Sequence, residues 1–455
     1  MRAKEALDCA SYIIARTGQT ESFESLKDYT VETLDDVYER SRNFDTLNKN
    51  LAAKVLNAAK TSDVCYCVDG SVCEDESCKI ILKKHRDCEI LDSVSKAAYA
   101  YSLAGMSNGG PAFISAYAVS ELKSCRAACV YDIDSEYAAS IVKEKLSDIF
   151  GEETECSFVR GVAVKKIKIY EIDRMKNYDG TCAVTCEEGE FLKRDRYDYA
   201  DLEQLIKLLR APGGCPWDRV QTSDSIKKNM IEEAYELVDA IERDDHDGME
   251  EETGDVLLQA AFHSVMEAEK GEYTGTDAIT RVIKKLIFRH SHIFGADKAS
   301  DDAEALGVWE NNKRKEKGQS TFTSSVEAVP QNFPACMLAQ KVAKRAAKSG
   351  MDFPSANAAA ERLAEEVEEL LTAIDSGDKS AVADEGGDVL FSAVNTVRLA
   401  GADCEEALRL SVKKFTARFA ECERLIVADG KDMTELSEED LDEYWERAKN
   451  ALKSN

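Results

Sequence analysis

The stretch AEEVEELLTAIDSGDKSAVADEGGDVLF, Ala364 to Phe391, combines many acids with leucine, valine and isoleucine at helical spacing. A second stretch, IEEAYELVDAIERDDHDGMEEETGDVLL, Ile231 to Leu258, has the same length and layout. A shift of 133 residues (364 minus 231) superimposes the two copies. Because the acids recur with the apolar residues, they are more than a solvated helix face. The coinciding acids are Glu232, Glu233, Glu236, Glu252 and Asp255 in the first copy and Glu365, Glu366, Glu369, Glu385 and Asp388 in the second.

Within each copy, the acids are spaced so that they can face one another across two helices. Glu366 and Glu369 are three residues apart, which places them about 60° apart around a helix and roughly 4.5 Å apart along its axis. Glu385 and Asp388 repeat that spacing beyond a Ser-Gly-Asp turn. The sequence therefore predicts a helix hairpin with two facing carboxylate pairs, packed through an apolar stripe. The stripe consists of Leu363, Val367, Leu370, Leu371 and Ile374.

Four converging carboxylates repel one another, and each tends to take up a proton unless a cation compensates. Hard divalent cations prefer oxygen ligands, so the cluster predicts Mg²⁺, with Mn²⁺ as the alternative. The chemistry favoured at such a site is metal-assisted attack of water on a phosphate chain. The predicted ligands are Glu366, Glu369, Glu385 and Asp388 in the second copy and Glu233, Glu236, Glu252 and Asp255 in the first.

Cations and one tryptophan follow the acids in each copy. A lysine and an arginine four residues apart are followed by a tryptophan and a lysine four apart. Cations can hold phosphates and an aromatic ring can stack on a base, so the set predicts a nucleoside polyphosphate site. Taken alone, each motif is typical of charged surface residues or of a buried tryptophan. Here the whole set occurs twice, in the same order. Its members are Lys414, Arg418, Trp445 and Lys449 in the second copy and Lys285, Arg289, Trp309 and Lys313 in the first.

The composition excludes several classes of protein. The 455 residues carry 59 Lys and Arg against 87 Asp and Glu, a formal charge of −28. This balance argues against nucleic acid and anionic membranes as partners, because both require a basic surface. No apolar run approaches the ~18 residues of a membrane span, and the N-terminus lacks the pattern of a signal peptide. We therefore expect a cytoplasmic protein whose 15 cysteines are reduced thiols.

The secondary-structure pattern changes near residue 199. Before it, the apolar runs YIIAR, VCYCV, AACVYDI and VAVKKIKIYEI alternate with helical patterns, which predicts an α/β domain. After it, helical periodicity continues to the end, interrupted by a Ser-, Thr- and Pro-containing stretch typical of a linker. The predicted domains are α/β at 1–198, the first all-α domain at 199–318, a linker at 319–335 and the second all-α domain at 336–455.

Both helical domains resemble the MazG family of nucleoside triphosphate pyrophosphohydrolases. The pattern of that family is EExxE followed after a gap by ExxD, on an all-α fold that binds Mg²⁺. The first copy adds LLRAPGGCPWDRVQT (208–222) and RHSHIFG (289–295), and the second adds FSAVNTVRLAG and KKFTARF. The resemblance covers about residues 208 to 450.

This resemblance implies hydrolysis between the α and β phosphates, giving a monophosphate and pyrophosphate. It implies catalytic roles for Glu365, Glu366, Glu369, Glu385 and Asp388, one of which orients the attacking water. Which carboxylate does so is left open, as are the base and sugar preference and the activity of each copy. The second copy is expected to be the main catalytic one, and the resemblance implies a homodimer.

The N-terminal region is similar to the tetrapyrrole methylase domain, an α/β fold that uses S-adenosylmethionine (SAM). The matching stretches include IIARTG (13–18), VCYCVDGS (64–71) and IYEIDRM (169–175). That family opens with a strand and a GxGPG-type loop, and this chain begins beyond the place where the loop belongs. Without the glycine loop a backbone cannot approach the cofactor closely. We therefore expect a truncated, degenerate domain that does not bind SAM and serves dimerisation or regulation.

Two alternative functions remain at this stage. The chain could be a sensor or scaffold that binds nucleotides without turning them over, although complete acid sets in both copies count against this. It could also be a SAM-dependent tetrapyrrole methyltransferase, against which the missing glycine loop counts.

Overall fold

The computed structural model describes residues 2–41, 44–91, 93–106, 110–316, 318 and 321–453. The chain divides into two compact units, Met1–Gly275 and Thr276–Asn455. None of the described helices is both long and apolar enough to cross a membrane.

The first unit begins with two small sheets. One is a three-stranded parallel sheet of order β2-β1-β3, and the other has five strands in the order β4-β5-β8-β6-β7. In the larger sheet β4 and β5 run parallel, whereas the other neighbours are antiparallel. The four apolar runs predicted as strands correspond to β1, β3, β5 and β7. The strands are β1 (Tyr12–Ala15), β2 (Val31–Thr33), β3 (Val64–Cys67), β4 (Ala112–Ser115), β5 (Ala127–Tyr131), β6 (Glu155–Arg160), β7 (Ala163–Lys168) and β8 (Cys182–Glu187).

Helices flank these sheets and then form the rest of the chain. The helices of the first unit are α1 (Arg2–Cys9), α2 (Asp35–Arg40), α3 (Phe44–Ala58), α4 (Glu76–Lys84), α5 (Lys96–Leu103), α6 (Glu136–Phe150), α7 (Tyr199–Arg210), α8 (Pro216–Arg219), α9 (Asn229–Glu242) and α10 (His246–Glu269). Those that follow are α11 (Gly275–Arg289), α12 (Ser291–Phe294), α13 (Asp302–Glu316), α14 (Phe322–Glu327), α15 (Ala335–Ala347), α16 (Ala356–Ser376), α17 (Lys379–Leu399), α18 (Cys404–Ala428) and α19 (Glu438–Lys453). The predicted order, an α/β region followed by an all-helical region, is confirmed.

The largest apolar core of the first unit lies on the five-stranded sheet. All residues of β5 are buried, because neighbouring strands pair with it on both sides and helices cover its faces. Helix α6 contributes Val142, Leu146 and Phe150 to this core. Its alternating apolar and charged residues give it one face for the sheet and one for solvent.

Two helices of the second unit form the predicted hairpin. Ser355 caps α16 by accepting a hydrogen bond from the backbone N–H of Ala358. The turn follows at Gly377, whose φ of 72° is a left-handed conformation that favours glycine. Asp378 then caps α17 by accepting from the backbone N–H of Ser380. The turn residues therefore set the point at which the chain reverses.

The apolar stripe of α16 is only partly buried in the single chain. Leu363 and Leu370 are half-buried, but Val367, Leu371 and Ile374 remain exposed. The expectation that this stripe packs the hairpin is therefore wrong for three of its five residues.

The stretch predicted as a linker contains helix α14, capped by Thr321. Residues 319 and 320 lie outside the described residues. The three predicted domain boundaries, after residues 198, 318 and 335, stay a prediction.

Candidate functional site

Helices α16 and α17 bring the carboxylates of the second copy together. Glu366 and Glu369 lie one turn apart on α16, and Glu385 lies on α17. One carboxylate oxygen from each lies within 4.8 Å of those of the other two. We name these three residues the second cluster. Asp388, the fourth predicted ligand, lies three residues beyond Glu385 on α17.

Helices α9 and α10 build the same arrangement in the first copy. Glu233 and Glu236 lie on α9 and Glu252 on α10, and their carboxylate oxygens again converge within 4.8 Å. We name them the first cluster. The buried amide of Gln259 donates from Nε2 to Oε1 of Glu233 at 3.3 Å. The chain therefore builds one three-carboxylate cluster twice.

Crowding of negative charge perturbs both clusters. Desolvation raises the pKa of Glu385, and the charges of Glu369 and Asp388 raise it further. Desolvation likewise raises the pKa of Glu233, and the charge of Asp255 adds to the effect. Asp388 and Asp255 are outside the three-carboxylate clusters, but the charge of Asp388 raises the pKa of Glu385 and the charge of Asp255 raises the pKa of Glu233.

Two carboxylate oxygens in these clusters are buried without a hydrogen-bond partner among the described residues. They are Oε2 of Glu252 and Oε2 of Glu366, one in each copy. A buried acceptor without a donor costs free energy, because it has lost its water and gained nothing in return. A hard divalent cation would satisfy these oxygens. The donor set of each cluster therefore fits such a cation.

An arginine that the sequence analysis missed lies against the second cluster. Arg362 donates from Nη2 to Oε1 of Glu366 and from Nη1 to Oε2 of Glu365, both at 2.8 Å. The charge pattern could have revealed it, because a cation four residues before an acid lies on the same helix face. The corresponding residue of the first copy is Asn229 (362 minus 133).

The four predicted substrate-binding residues of the second copy lie on two packed helices, α18 and α19. The ring of Trp445 lies 5.2 Å from that of Phe415, centroid to centroid. Lys449 pairs with the acid three residues before it. Among the described residues, Lys414 and Arg418 form no ion pair. Their charges therefore remain available to an anion.

The corresponding residues of the first copy are differently engaged. Arg289 is buried, and its Nε donates to Oε2 of Glu316 at 2.7 Å. Its guanidinium carbon lies 5.2 Å from the ring centroid of Trp309, and Nζ of Lys313 lies 4.6 Å from the same centroid. Lys285 lines a cavity of about 450 Å³ together with Glu316. The carboxylates of this copy belong to the first unit and these cations to the second.

Comparison with known proteins agrees with this arrangement. The MazG nucleotide pyrophosphohydrolase domain matches residues 221–294 and 355–422, which include all the predicted metal ligands. The nucleoside triphosphate pyrophosphohydrolase/pyrophosphatase MazG of Thermotoga maritima is 40% identical over 251 residues, 55% of this chain and 95% of that protein.

Similarity also extends to the N-terminal region. The uncharacterized protein YabN of Bacillus subtilis is 31% identical over 460 residues, covering 97% of this chain and 93% of that protein. Among solved structures, uroporphyrin-III-C-methyltransferase from Thermus thermophilus is similar over 41% of this chain and 87% of that one, at 13% identity and a TM-score of 0.32. The duplicated domain match and the near-complete coverage of the Thermotoga protein decide the family: this chain belongs to the MazG family of nucleotide pyrophosphohydrolases, which are hydrolases of phosphoric anhydride bonds.

Proposed function

We propose that the chain hydrolyses nucleoside triphosphates between the α and β phosphates, releasing a nucleoside monophosphate and pyrophosphate. The observation that carries the proposal is the convergence of three carboxylates in each copy, with one buried oxygen in each cluster that has no donor among the described residues. A chain that needed these acids only for solubility would leave them in water. The names of its MazG relatives support the same class of substrate.

We propose Mg²⁺, with Mn²⁺ as the alternative, as the cofactor of both clusters. Glu366, Glu369, Glu385 and Asp388 would hold it in the second copy. The equivalent set in the first copy is Glu233, Glu236, Glu252 and Asp255. When bound, the ion would act as a Lewis acid that neutralises charge on the phosphate oxygens and helps to ionise a water.

Glu365 is our candidate for orienting the attacking water. Its side chain is 63% exposed, so water reaches it, yet Arg362 holds it beside the second cluster. A carboxylate in this position can accept a proton from a water as that water attacks the triphosphate. Arg362 would fix the rotamer of this acid.

Lys414 and Arg418 would bind the phosphate chain in the second copy, with Lys449 as a third cation. Trp445 would stack on the base or close the site over it. Because Lys414 and Arg418 carry no ion pair among the described residues, a triphosphate would reach these two cations without displacing a paired acid, whereas Lys449 would have to leave Glu446. This supports the second copy as the main catalytic one.

We also propose a homodimer. Leu408, Val412, Phe415 and Phe419 are all exposed on α18 at spacings of four, three and four residues. Such spacing forms one apolar helix face, typical of a helix that packs against another. A second copy of the chain would cover it and the exposed part of α16. The cytoplasmic location and the absence of SAM binding stay predictions.

The experiment that tests the function is product analysis with Mg²⁺ and a panel of ribo- and deoxynucleoside triphosphates. Monophosphate plus pyrophosphate is the expected result, and the ranking across the panel gives the base preference. Diphosphate plus phosphate would contradict the proposed cleavage position. Binding without any product would favour a sensor or scaffold instead.

A further inference from the structure

Strand β3 of the parallel sheet carries two cysteines, Cys65 and Cys67, with one residue between them. Because successive side chains of a strand point to opposite faces, both thiols lie on the same face of β3. Tyr66, between them, packs against the apolar core to which α3 contributes. Both cysteines are free and half-buried, so the two thiols are neighbours that solvent can reach.

The spacing of the pair is compatible with a disulfide. A strand rises about 3.3 Å per residue, which places the two Cα atoms about 6.6 Å apart. Disulfides usually join Cα atoms about 4.4 to 6.8 Å apart, so closing the bond requires a small local change of the backbone. Strand β3 can make that change, because among the described strands it pairs with β1 alone.

The contact between the two side chains also prepares one of them for attack. A hydrogen bond with Cys67 lowers the pKa of Cys65 to about 7, although burial alone would raise it. The same hydrogen bond raises the pKa of Cys67, so one thiol of the pair ionises easily while the other keeps its proton. In thiol–disulfide exchange the thiolate is the nucleophile, and a thiol whose pKa is near the ambient pH attacks best. Once Cys65 has reacted, this hydrogen bond is lost and Cys67 can ionise in its turn.

A cavity gives small molecules access to the pair. It has a volume of about 170 Å³ and is lined by Cys67 together with Arg16, Thr17, Ser22 and Asp69. Hydroxyl and charged groups form much of its wall, so it can hold water and small polar solutes. The thiol pair therefore lies beside a space that a polar reagent can enter.

We propose that Cys65 and Cys67 form a reversible dithiol–disulfide pair, which a small disulfide such as glutathione disulfide oxidises. The thiolate of Cys65 attacks one sulfur of the small disulfide, whose S–S bond breaks and releases one thiolate. The thiolate of Cys67 then attacks the sulfur of Cys65, the protein disulfide forms, and the second thiolate leaves. The protein loses two electrons and two protons, and the small disulfide becomes two thiols. This inference concerns the first unit alone and does not depend on the proposed function.

The test incubates the full chain with glutathione disulfide at neutral pH, alkylates the remaining thiols and identifies the products by mass spectrometry. The peptide that contains Cys65 and Cys67 should lose two hydrogens and retain no glutathione. Cys156 and Cys186 provide the matched control, since they lie directly opposite each other on β6 and β8 but are fully buried. They should stay reduced, because proximity without access does not permit exchange.

Substitutions separate the roles of the two thiols. Cys67→Ser should leave glutathione attached at Cys65, because no second thiol displaces it. Cys65→Ser should react at this site at least about tenfold more slowly, because the remaining thiol is mostly protonated at neutral pH.

The wild-type chain decides the proposal even if a variant folds poorly. Glutathione retained on Cys65 of the wild type would overturn it, because Cys67 would then not complete the exchange. It would be overturned equally if both thiols stayed reduced while the exposed Cys9 became modified. An intramolecular disulfide that dithiothreitol reduces again is the result expected.

Discussion

The Nη2 atom of Arg362 lies 2.8 Å from Oε1 of Glu366, so the most buried carboxylate of the second cluster already has a cation beside it. Nη1 of the same arginine lies 2.8 Å from Glu365 and 3.8 Å from Glu369. One guanidinium thus compensates three acids of the site proposed for the metal. A divalent ion arriving there must compete with it or move it.

Replacement of Arg362 by methionine should therefore tighten metal binding in the absence of nucleotide. Methionine keeps most of the length of the arginine side chain but removes its competing charge. Because Arg362 is 40% exposed, we expect a modest gain in Mn²⁺ affinity, of about three- to tenfold. Isothermal titration with Mn²⁺ measures it. The metal-free variant should also melt at a lower temperature, since its carboxylates repel one another without compensation.

Asn229 of the first copy offers the matched control. Asn229→Arg places a guanidinium at the corresponding position, and it should weaken Mn²⁺ binding by the first cluster by a similar factor. Weaker binding in Arg362→Met would show that the arginine supports the metal site rather than competing for it.

Glu366→Gln and Glu233→Gln should each remove one metal site and leave the other intact. Each substitution replaces a charged oxygen ligand by a neutral amide of the same shape. If the second copy is the main catalytic one, Glu366→Gln should lower kcat/KM by more than about 100-fold, because metal stabilisation is worth several kcal/mol. Glu233→Gln should have a much smaller effect. Mn²⁺ titration and steady-state kinetics on both variants check this, and equal losses of activity would contradict the unequal roles.

The protonated carboxyl of Glu385 should stabilise the metal-free protein, and this one contribution should be lost as the pH rises above the ordinary carboxyl value. The pKa of Glu385 is raised above 4.5, so the folded state holds this proton more tightly than the unfolded state does. Its contribution to stability is present below pH 4.5 and is lost as the pH rises through the raised pKa. Metal affinity should increase over the same window, because the proton must leave before the ion binds.

Thermal melts across this pH range, with and without Mn²⁺, provide the measurement. Glu385→Gln isolates the effect, because other acids of the chain titrate equally in both proteins. The pH-dependent difference between wild type and variant should vanish when Mn²⁺ saturates the site. A difference that grows with falling pH would reverse the sign and contradict the argument.

The sequence predicted the hairpin and its acids because helix geometry fixes both. Glu366 and Glu385, like Glu369 and Asp388, are 19 residues apart, so the register across the turn follows from the chain itself. The sequence also predicted β5 and β7, because each contains a run of apolar residues. Strand β2 has three residues, Val31–Thr33, which is too short to show a period.

Contacts that depend on tertiary packing could not be predicted in the same way. Arg289 and Glu316 are 27 residues apart on separate helices, and only the packing of α13 near α11 joins them. The exposure of Val367 and Leu371 was also missed, because an apolar stripe does not reveal whether its partner is the same chain or another. A sequence pattern identifies the apolar face of a helix, but the elements that pack against the helix decide which residues that face contacts.

Asp75 should be the most costly single charge to remove from the first unit. Burial alone would lower the pKa of Arg16, but the charge of Asp75 together with the contributions of Tyr38 and Tyr66 outweighs burial and raises the pKa. Asp75→Ala leaves the buried guanidinium of Arg16 without its acid, for which we expect a loss of about 3–5 kcal/mol in the free energy of unfolding. Arg126→Ala breaks an exposed pair with Glu188 and should cost less than about 1 kcal/mol. Urea unfolding of both variants compares them, and similar losses would show that the burial of Arg16 does not control the energy of its ion pair.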